Sequence, residues 1–448
     1  MTYPVQGRSY RHNQPDSNVS KVRFLLVTLI CASPVLLLTE GLIINGLLAG
    51  IVAAAMLIIS QSLRPAETEF FVSIIRTPLI VAAVPVLWIL IQTLPFGVYA
   101  HPIWKSAETA LHHPVIGAIS VDPGASVIAL GQYLSVSAVT FVSAAVAVDR
   151  QRAEWILFAL TAASAAIALI PLAHDLFLSN IALASFTREQ AIDCAGMGAI
   201  IASAACIRTF ERYETRHSNP QRSVLILRWT FAASFAAMVI CTAALTRDAT
   251  TEALASGCGL SVLFWVFFIR SYELGLFTKI LLPVLALAAA ILLLGDHLPE
   301  GGRSMLLAFA AEPSASATSL SERVLDDAPL VGTGAGTFAA LARIYREMND
   351  PPAGPVAATA AAGFAIELGR PMLWFIAAAT AGFLLPLLRA SRQRGRDWFY
   401  PAIGASCLIT LALLAFVNSG LLGAATGLIA ASALGLALAQ SKSRTIRL

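Results

Sequence analysis

The chain has 448 residues, 57% of them hydrophobic and only 12% charged, with a formal net charge of +4. A soluble domain carries about 25% charged residues, so this composition excludes an ordinary water-soluble fold and marks an integral membrane protein. Its basic residues are what membrane topology requires, which excludes nucleic acid as a partner and leaves membrane lipids as the surroundings.

Residues 1–21 form a polar, basic arm, and the apolar window behind it is too long for a signal-peptide core, so the first helix is expected to stay. Crossing the roughly 30 Å hydrocarbon layer takes about 20 apolar residues. About twelve windows qualify. They lie near 22–40, 41–60, 75–95, 126–148, 153–172, 192–209, 223–245, 252–269, 275–295, 371–389, 399–418 and 419–440. The first two share a short turn at Glu40, and the last two share one at Asn418-Ser419-Gly420. Residues 22–295 thus hold the helices before the longest polar tract, 296–370; residues 371–440 hold those after it, and 441–448 form a tail. The expected fold class is all-α: a polytopic helix bundle with one large helical extracytoplasmic loop.

With the amino terminus in the cytoplasm, segments 1–23, 61–76, 149–153, 207–228, 270–279, 389–397 and 441–448 share that side and hold most of the 30 Lys and Arg. That asymmetry follows the positive-inside rule and places both termini in the cytoplasm. The other side is acidic, so any phosphate bound there must be held locally by individual arginines. The six cysteines lie in or at the ends of apolar windows without a C-x-x-C pair, which reads as packing rather than a disulfide framework or a zinc site. The arginine-rich loop at 207–228 splits the helices six and six, a layout shared with many secondary transporters. A transporter would place ionisable residues at helix centres, and these windows contain almost none.

Within the long loop, the patch MLLAFAA (305–311) has the composition of a segment lying on the membrane surface. A short helix at RVLDDA, a Pro-Leu-Val-Gly turn, and a second helix from Thr337 through FAALARIYREM follow, with the Thr337 side chain able to cap and Pro351-Pro352 as the stop. Residues 355–369 read as a helix returning to the membrane. The turn itself, VGTGAGTF, looks like a phosphate loop but fails both nucleotide fingerprints. Thr337-Phe338 stand where a Walker loop needs Lys-Ser/Thr, and Thr337 stands where the dinucleotide motif needs its third glycine. A turn that uses positive φ and packs closely before a helix is the simpler account.

Arg188, Arg247 and Arg323 lie in three different outward segments, with Arg343 and Arg346 on the helix after the turn. Two accounts stay open. Arg188 and Arg247 can snorkel to headgroups or pair with Asp193 or Asp248; or several guanidinium groups converge on a diphosphate, whose oxygens they match bidentately without a metal.

The tract RVLDDAPLVGTGAGTFAALARIYREM, followed by AIELGRP, resembles the outer-loop region of bacterial O-antigen ligases and O-antigen polymerases. Arg323, Asp326 or Asp327, Pro329, Gly332, Gly334, Gly336, Phe338, Glu367 and Gly369 match the family order. LTRDA around Arg247 is similar to the family's Ser-Arg-Gly segment, SFTREQ around Arg188 to its Asn-Arg-Asn segment, and 97–125 to the first outer loop of some members. The resemblance implies a GT-C-like bundle. Its implied activity is cofactor-free, metal-independent, inverting transfer of an undecaprenyl-diphosphate-linked glycan to a lipid or glycan acceptor at the periplasmic side of the inner membrane, alongside other polysaccharide-assembly proteins. It also implies catalytic roles for Arg247, Arg323 and Glu367 and substrate binding by Arg188, Gly332, Gly334, Gly336, Arg343 and Arg346. The chain departs from the pattern at Ala357, Ala358 and Thr359, where the family carries a His-Asn pair, and at Thr187 and Glu189, where asparagines flank the arginine. Glu367 and Asp350 are then the carboxylates that could replace the histidine as base. His101, His112, His113, His174 and His297 lie elsewhere and are expected to be solvated. A non-catalytic relative that binds lipid-linked glycan, and a polysaccharide transporter or flippase, are the alternative functions.

Overall fold

The computed structural model of the chain describes residues 17–39, 41–62, 65–97, 100–177, 185–215, 221–248, 250–271, 304–310, 315–347 and 356–442. The window at 275–295, most of the basic arm, His297, Asp350, Pro351-Pro352 and most of the tail lie outside these residues.

Every regular element among the described residues is helical. The window expected at 22–40 is two pieces, α1 (Ser17–Cys31) and α2 (Ser33–Leu38). Pro34 has no N–H to continue the helical ladder, and the Ser33 hydroxyl instead donates to the Ile30 carbonyl at 2.7 Å. Then follow α3 (Leu42–Ser62), α4 (Pro65–Thr93), the short α5 (Ile103–Leu111), α6 (Pro123–Val146), α7 (Arg150–Phe177), α8 (Ser185–Thr215), α9 (Gln221–Asp248) and α10 (Thr250–Ser271). The loop contributes α11 (Ala315–Asp327), α12 (Phe338–Tyr345) and α13 (Ala360–Glu367), and the chain closes with α14 (Arg370–Gln393), α15 (Phe399–Leu414) and α16 (Ala424–Ser441). Nine of the described helices are long and apolar enough to cross a membrane, and α15 is a shorter apolar helix.

Apolar residues sit on both the inside and the outside of this bundle, as a membrane environment demands. Ile43, Trp229 and Trp374 on α3, α9 and α14 are 87%, 69% and 74% exposed. At the centre stands α8, nearly all of whose apolar stretch is buried against α7, α9, α10, α15 and α16. Lipid gives no hydrophobic drive between helices, so close packing of small residues must hold them. Gly435 of α16 lies so near the Thr140 carbonyl of α6 that a Cβ there would overlap it, and Gly404 of α15 meets Ala437 of α16 in the same way.

The loop helices carry a core of their own. Leu320 and Val324 of α11, Phe338 and Leu341 of α12, and Ile366 of α13 are buried together with Leu307. MLLAFAA is therefore not a surface patch throughout: Met305 is exposed, but Leu307 is 1% exposed inside this core. The helix expected over 355–369 is shorter, because residues 356–359 are non-helical and Thr359, with extended backbone, caps α13 through its hydroxyl, which accepts the Ala362 N–H at 3.2 Å. The helix after the glycine turn likewise ends at Tyr345, three residues before Met348.

The loop end of the bundle is set by chain direction. The start of α6 touches the glycine turn, so α6 ends, and α7 begins, at the opposite end; α7 returns to the loop end at Phe177, where α8 starts. The ends of α9 and α15 and the start of α10 belong to the loop end by the same alternation.

Candidate functional site

Two constructions at the loop end hold Gly332, Gly334, Gly336 and Glu367, and Arg188 and Arg247. The first is the glycine turn. Gly332, Gly334 and Gly336 have φ of +83°, +108° and +73°, and Gly369, opposite them, has +90°. The turn is wedged between α4, the start of α6 and residues 366–369 at the end of α13. The Gly332 Cα is so close to residues 367–369 that an added Cβ would overlap the Glu367 carbonyl and lie 2.6 Å from the Gly369 nitrogen. Its N–H groups are spent inside the protein. Thr333 and Gly334 donate to the carbonyls of Ile366 and Glu367, each at 2.9 Å. Gly336 and Phe338 donate to the Glu367 carboxylate at 2.8 and 3.1 Å.

Glu367 thus occupies the seat that an anion would take at the N-terminus of α12. Thr337 does not cap that helix; its hydroxyl donates to the Gly334 carbonyl at 2.7 Å, and the capping falls to the carboxylate from across the turn. Burial pushes the Glu367 carboxyl up to about 7, against the pull of its two backbone N–H partners, which favour the charged form. Gln92 of α4, fully buried, donates to the carbonyls of both Val331 and Glu367 at 3.0 Å, and Trp88 donates to Leu368 at 2.8 Å. From α6, the Ser126 hydroxyl donates to Ala335 at 2.9 Å. The three glycines therefore hold the loop to the bundle, and can influence a ligand through the shape they impose.

The second construction is ionic. Asp175, near the end of α7, receives Arg188 of α8 bidentately, Nη1 and Nη2 each 3.3 Å from one carboxylate oxygen. Arg247, near the end of α9, brings its Nε within 3.9 Å of the same carboxylate, and His174 Nδ1 lies at 3.3 Å. Two arginines from different helices and different sequence segments therefore meet at one point. Their partner is Asp175 rather than Asp193, which is fully buried and accepts the Asn418 amide at 2.9 Å. Asp175 is 16% exposed in its side chain, while Arg188 and Arg247 are 32% and 45% exposed.

Next along the chain from Arg188, Glu189 takes the Ser419 N–H and hydroxyl at 3.1 and 2.6 Å, and the Asn418 carbonyl accepts the first N–H of α13 at 2.9 Å. The arginine pair is in this way tied to the loop. Glu252, at the start of α10, is 5% exposed and accepts the Thr251 hydroxyl at 3.4 Å. Among the described residues, no set of His, Cys, Asp and Glu side chains is arranged to hold a metal ion.

Arg323 of α11 binds Glu347 at 2.9 Å, and Arg343 and Arg346 are exposed around the end of α12. Ala357, Ala358 and Thr359 are buried at the loop core. Sequence reasoning did not find Asp175, Gln92 or Asn418. Each lies at the margin of an apolar window; the residues to which the Gln92 and Asn418 amides donate are 225 or more residues away, and Asp175 meets Arg188 and Arg247 only once α7, α8 and α9 are packed. No family model matches the chain, and no curated protein matches it.

Proposed function

We propose that the protein is a membrane glycan transferase of the O-antigen ligase or polymerase type. It would take an undecaprenyl-diphosphate-linked glycan at the outer face of a bacterial inner membrane and pass the glycan to a lipid or glycan acceptor. In this reading the basic arm and tail lie in the cytoplasm and the loop helices lie outside. The supporting observation is the meeting of Arg188 and Arg247 on the Asp175 carboxylate. Two planar guanidinium groups, kept charged without a metal, suit the oxygens of a diphosphate and stabilise it as a leaving group.

Asp175 then has two successive roles. It holds the arginines together in the resting protein, and the arriving diphosphate displaces it. Once freed, it is a carboxylate beside both arginines, in reach of the role of base. The acceptor hydroxyl oxygen bonds to the anomeric carbon, the bond from that carbon to the diphosphate oxygen breaks, and Asp175 takes the hydroxyl proton. The step inverts the sugar and releases the polyprenyl diphosphate. Glu367 and the glycine turn position the loop beside this centre, with Arg323, Arg343 and Arg346 presented on its helices.

The burial of Ala357, Ala358 and Thr359 favours a second reading, in which the protein binds lipid-linked glycan without transferring it. Purified protein, given a polyprenyl-diphosphate glycan and acceptors in the presence of chelator, separates the two. Transfer that disappears in Arg188→Ala and Arg247→Ala, with unchanged membrane levels, supports the enzyme. Arginine-dependent binding without transfer supports the second reading, and binding that ignores both substitutions refutes the site.

A further inference from the structure

The opposite end of the bundle holds a cavity of about 950 Å³ that the glycan reading does not use. Its walls come from the start of α7, the ends of α8 and α10, and the 395–399 segment leading into α15. Five arginines line it, Arg150, Arg208, Arg212, Arg270 and Arg396, against three carboxylates, Asp149, Glu154 and Glu211.

The contacts leave this end with unspent positive charge. The Asp149 carboxylate accepts the Gln151 and Arg152 N–H groups at 2.8 and 3.2 Å, capping α7. Glu154 is shared by both Arg208 and Arg212. Glu211 accepts the Trp398 indole N–H at 3.0 Å. Arg150 is balanced by Asp397 at 3.0 Å, just beyond the lining. Arg270 donates to the carbonyls of Arg394 and Gly395 at 2.6 and 2.9 Å and feels the charge of Glu211, which it shares with the Trp398 indole. Arg396 stands exposed at the rim.

Charge that served only membrane topology would need no burial, since exposed lysine and arginine suffice for it. Arg208 is 3% exposed, with its guanidinium 5.4 Å from the Phe158 ring and 5.9 Å from the Phe399 ring. Arg270 lies 5.6 Å from the Trp398 ring. Guanidinium groups fixed over aromatic faces are pre-organised, so little side-chain freedom remains to be lost when a tetrahedral anion accepts from them.

We propose that this cavity binds a phosphate group, with Arg212 and Arg396 as the adjustable donors and Arg208 and Arg270 as the fixed charged wall. In the topology expected from the charge distribution, the cavity opens at the cytoplasmic surface. There the phosphate belongs either to an acidic phospholipid headgroup or to a free phosphorylated solute. The site is independent of the Arg188–Arg247 pair.

Full-length protein purified in detergent is titrated by native mass spectrometry with phosphatidylglycerol in one arm and with inorganic phosphate in the other. The proteins compared are the wild type, Arg396→Gln alone, and Arg212→Gln with Arg396→Gln. A lipid source gives retained phosphatidylglycerol whose affinity falls about tenfold in the double variant, the loss of one charged hydrogen-bond set, with inorganic phosphate unable to compete. A soluble source gives the same fall for inorganic phosphate, which then displaces the lipid. Wild type and single variant binding both probes equally well, with the double variant also equal or unfolded, overturns the proposal.

Discussion

The glycine turn offers the sharpest test, because its three positions demand glycine for different reasons and alanine should rank them. At Gly336, φ is +73°, and an added Cβ would lie 3.1 Å from the Ala125 carbonyl, tight but outside overlap. The cost there is that of left-handed backbone, about 1–2 kcal/mol. At Gly332 the φ cost is similar, but the Cβ would strike the Glu367 carbonyl that Gly334 N–H bonds, and backbone cannot swing aside. Overpacking adds about 1–3 kcal/mol to the backbone cost. At Gly334, φ of +108° lies outside the left-handed helical well, and the Cβ would overlap the Ser120 side chain. Gly332→Ala and Gly334→Ala should therefore each cost about 2–5 kcal/mol, and Gly336→Ala about 1–2. The loop core can stay folded while the lock opens, so hydrogen exchange of residues 329–340 reports this better than global melting. Trypsin cleavage after Arg343 in the folded protein gives a second readout. Equal effects at all three positions, or Gly336→Ala as the worst, would refute the account of the turn as a wedge between α4, α6 and residues 366–369.

Burial raises the Glu367 carboxyl to about 7, so the folded state prefers its proton. Its contribution is fully present below the ordinary glutamate range and is lost as pH rises through about 7. Amide protection of 332–338, corrected for intrinsic exchange, should fall across that interval, and Glu367→Gln should flatten the profile; a profile unchanged by the substitution sinks this expectation. Asn418→Ala removes the donor to the fully buried Asp193 carboxylate and should cost about 1–3 kcal/mol in thermal unfolding, well above Ser60→Ala, an exposed hydroxyl on α3. Asp175→Asn keeps the shape of the arginine partner but removes its charge. Binding of a polyprenyl diphosphate should then tighten while transfer slows, and weaker binding would show that Asp175 orders the arginines more than it competes for them.

What the sequence made legible follows from range. Helices are local, so apolar windows located nearly all of the described spans, and the exception, α1 and α2, is broken by Pro34, a signal readable in the sequence itself. The glycine turn was legible as a turn, since alternating glycines before an apolar helix leave few other conformations. Its partner was not, because Glu367 lies 31 residues beyond Gly336 and acts through a carboxylate that capping rules would have sought in Thr337. The arginine pair was half legible. Scarcity picked out Arg188 and Arg247, but their meeting point needed the relative positions of α7, α8 and α9, which packing of small residues fixes and no local pattern encodes. Arg323, as conspicuous in sequence as Arg247, pairs with Glu347 on the loop, a contact between two loop segments that no local pattern announced.

The two carboxylates that occupy anion seats differ in how firmly they are held, and that difference decides which seat can exchange its occupant. Glu367 is bound by backbone N–H groups at 2.8 and 3.1 Å, on a turn whose other hydrogen bonds all depend on the same register. An incoming phosphate would have to unlock the loop to reach them. Asp175 is held by long side chains at 3.3 to 3.9 Å, longer than the roughly 2.7–2.9 Å of a well-formed charged hydrogen bond. Both arginines are part-exposed, so solvent already competes for them and the pair contributes little to stability. On the proposed reading, a diphosphate, with more charge and more oxygens than one carboxylate, would compete with Asp175 for both guanidinium groups. The ionic seat is therefore the exchangeable one, and the glycine turn is the fixed frame beside it.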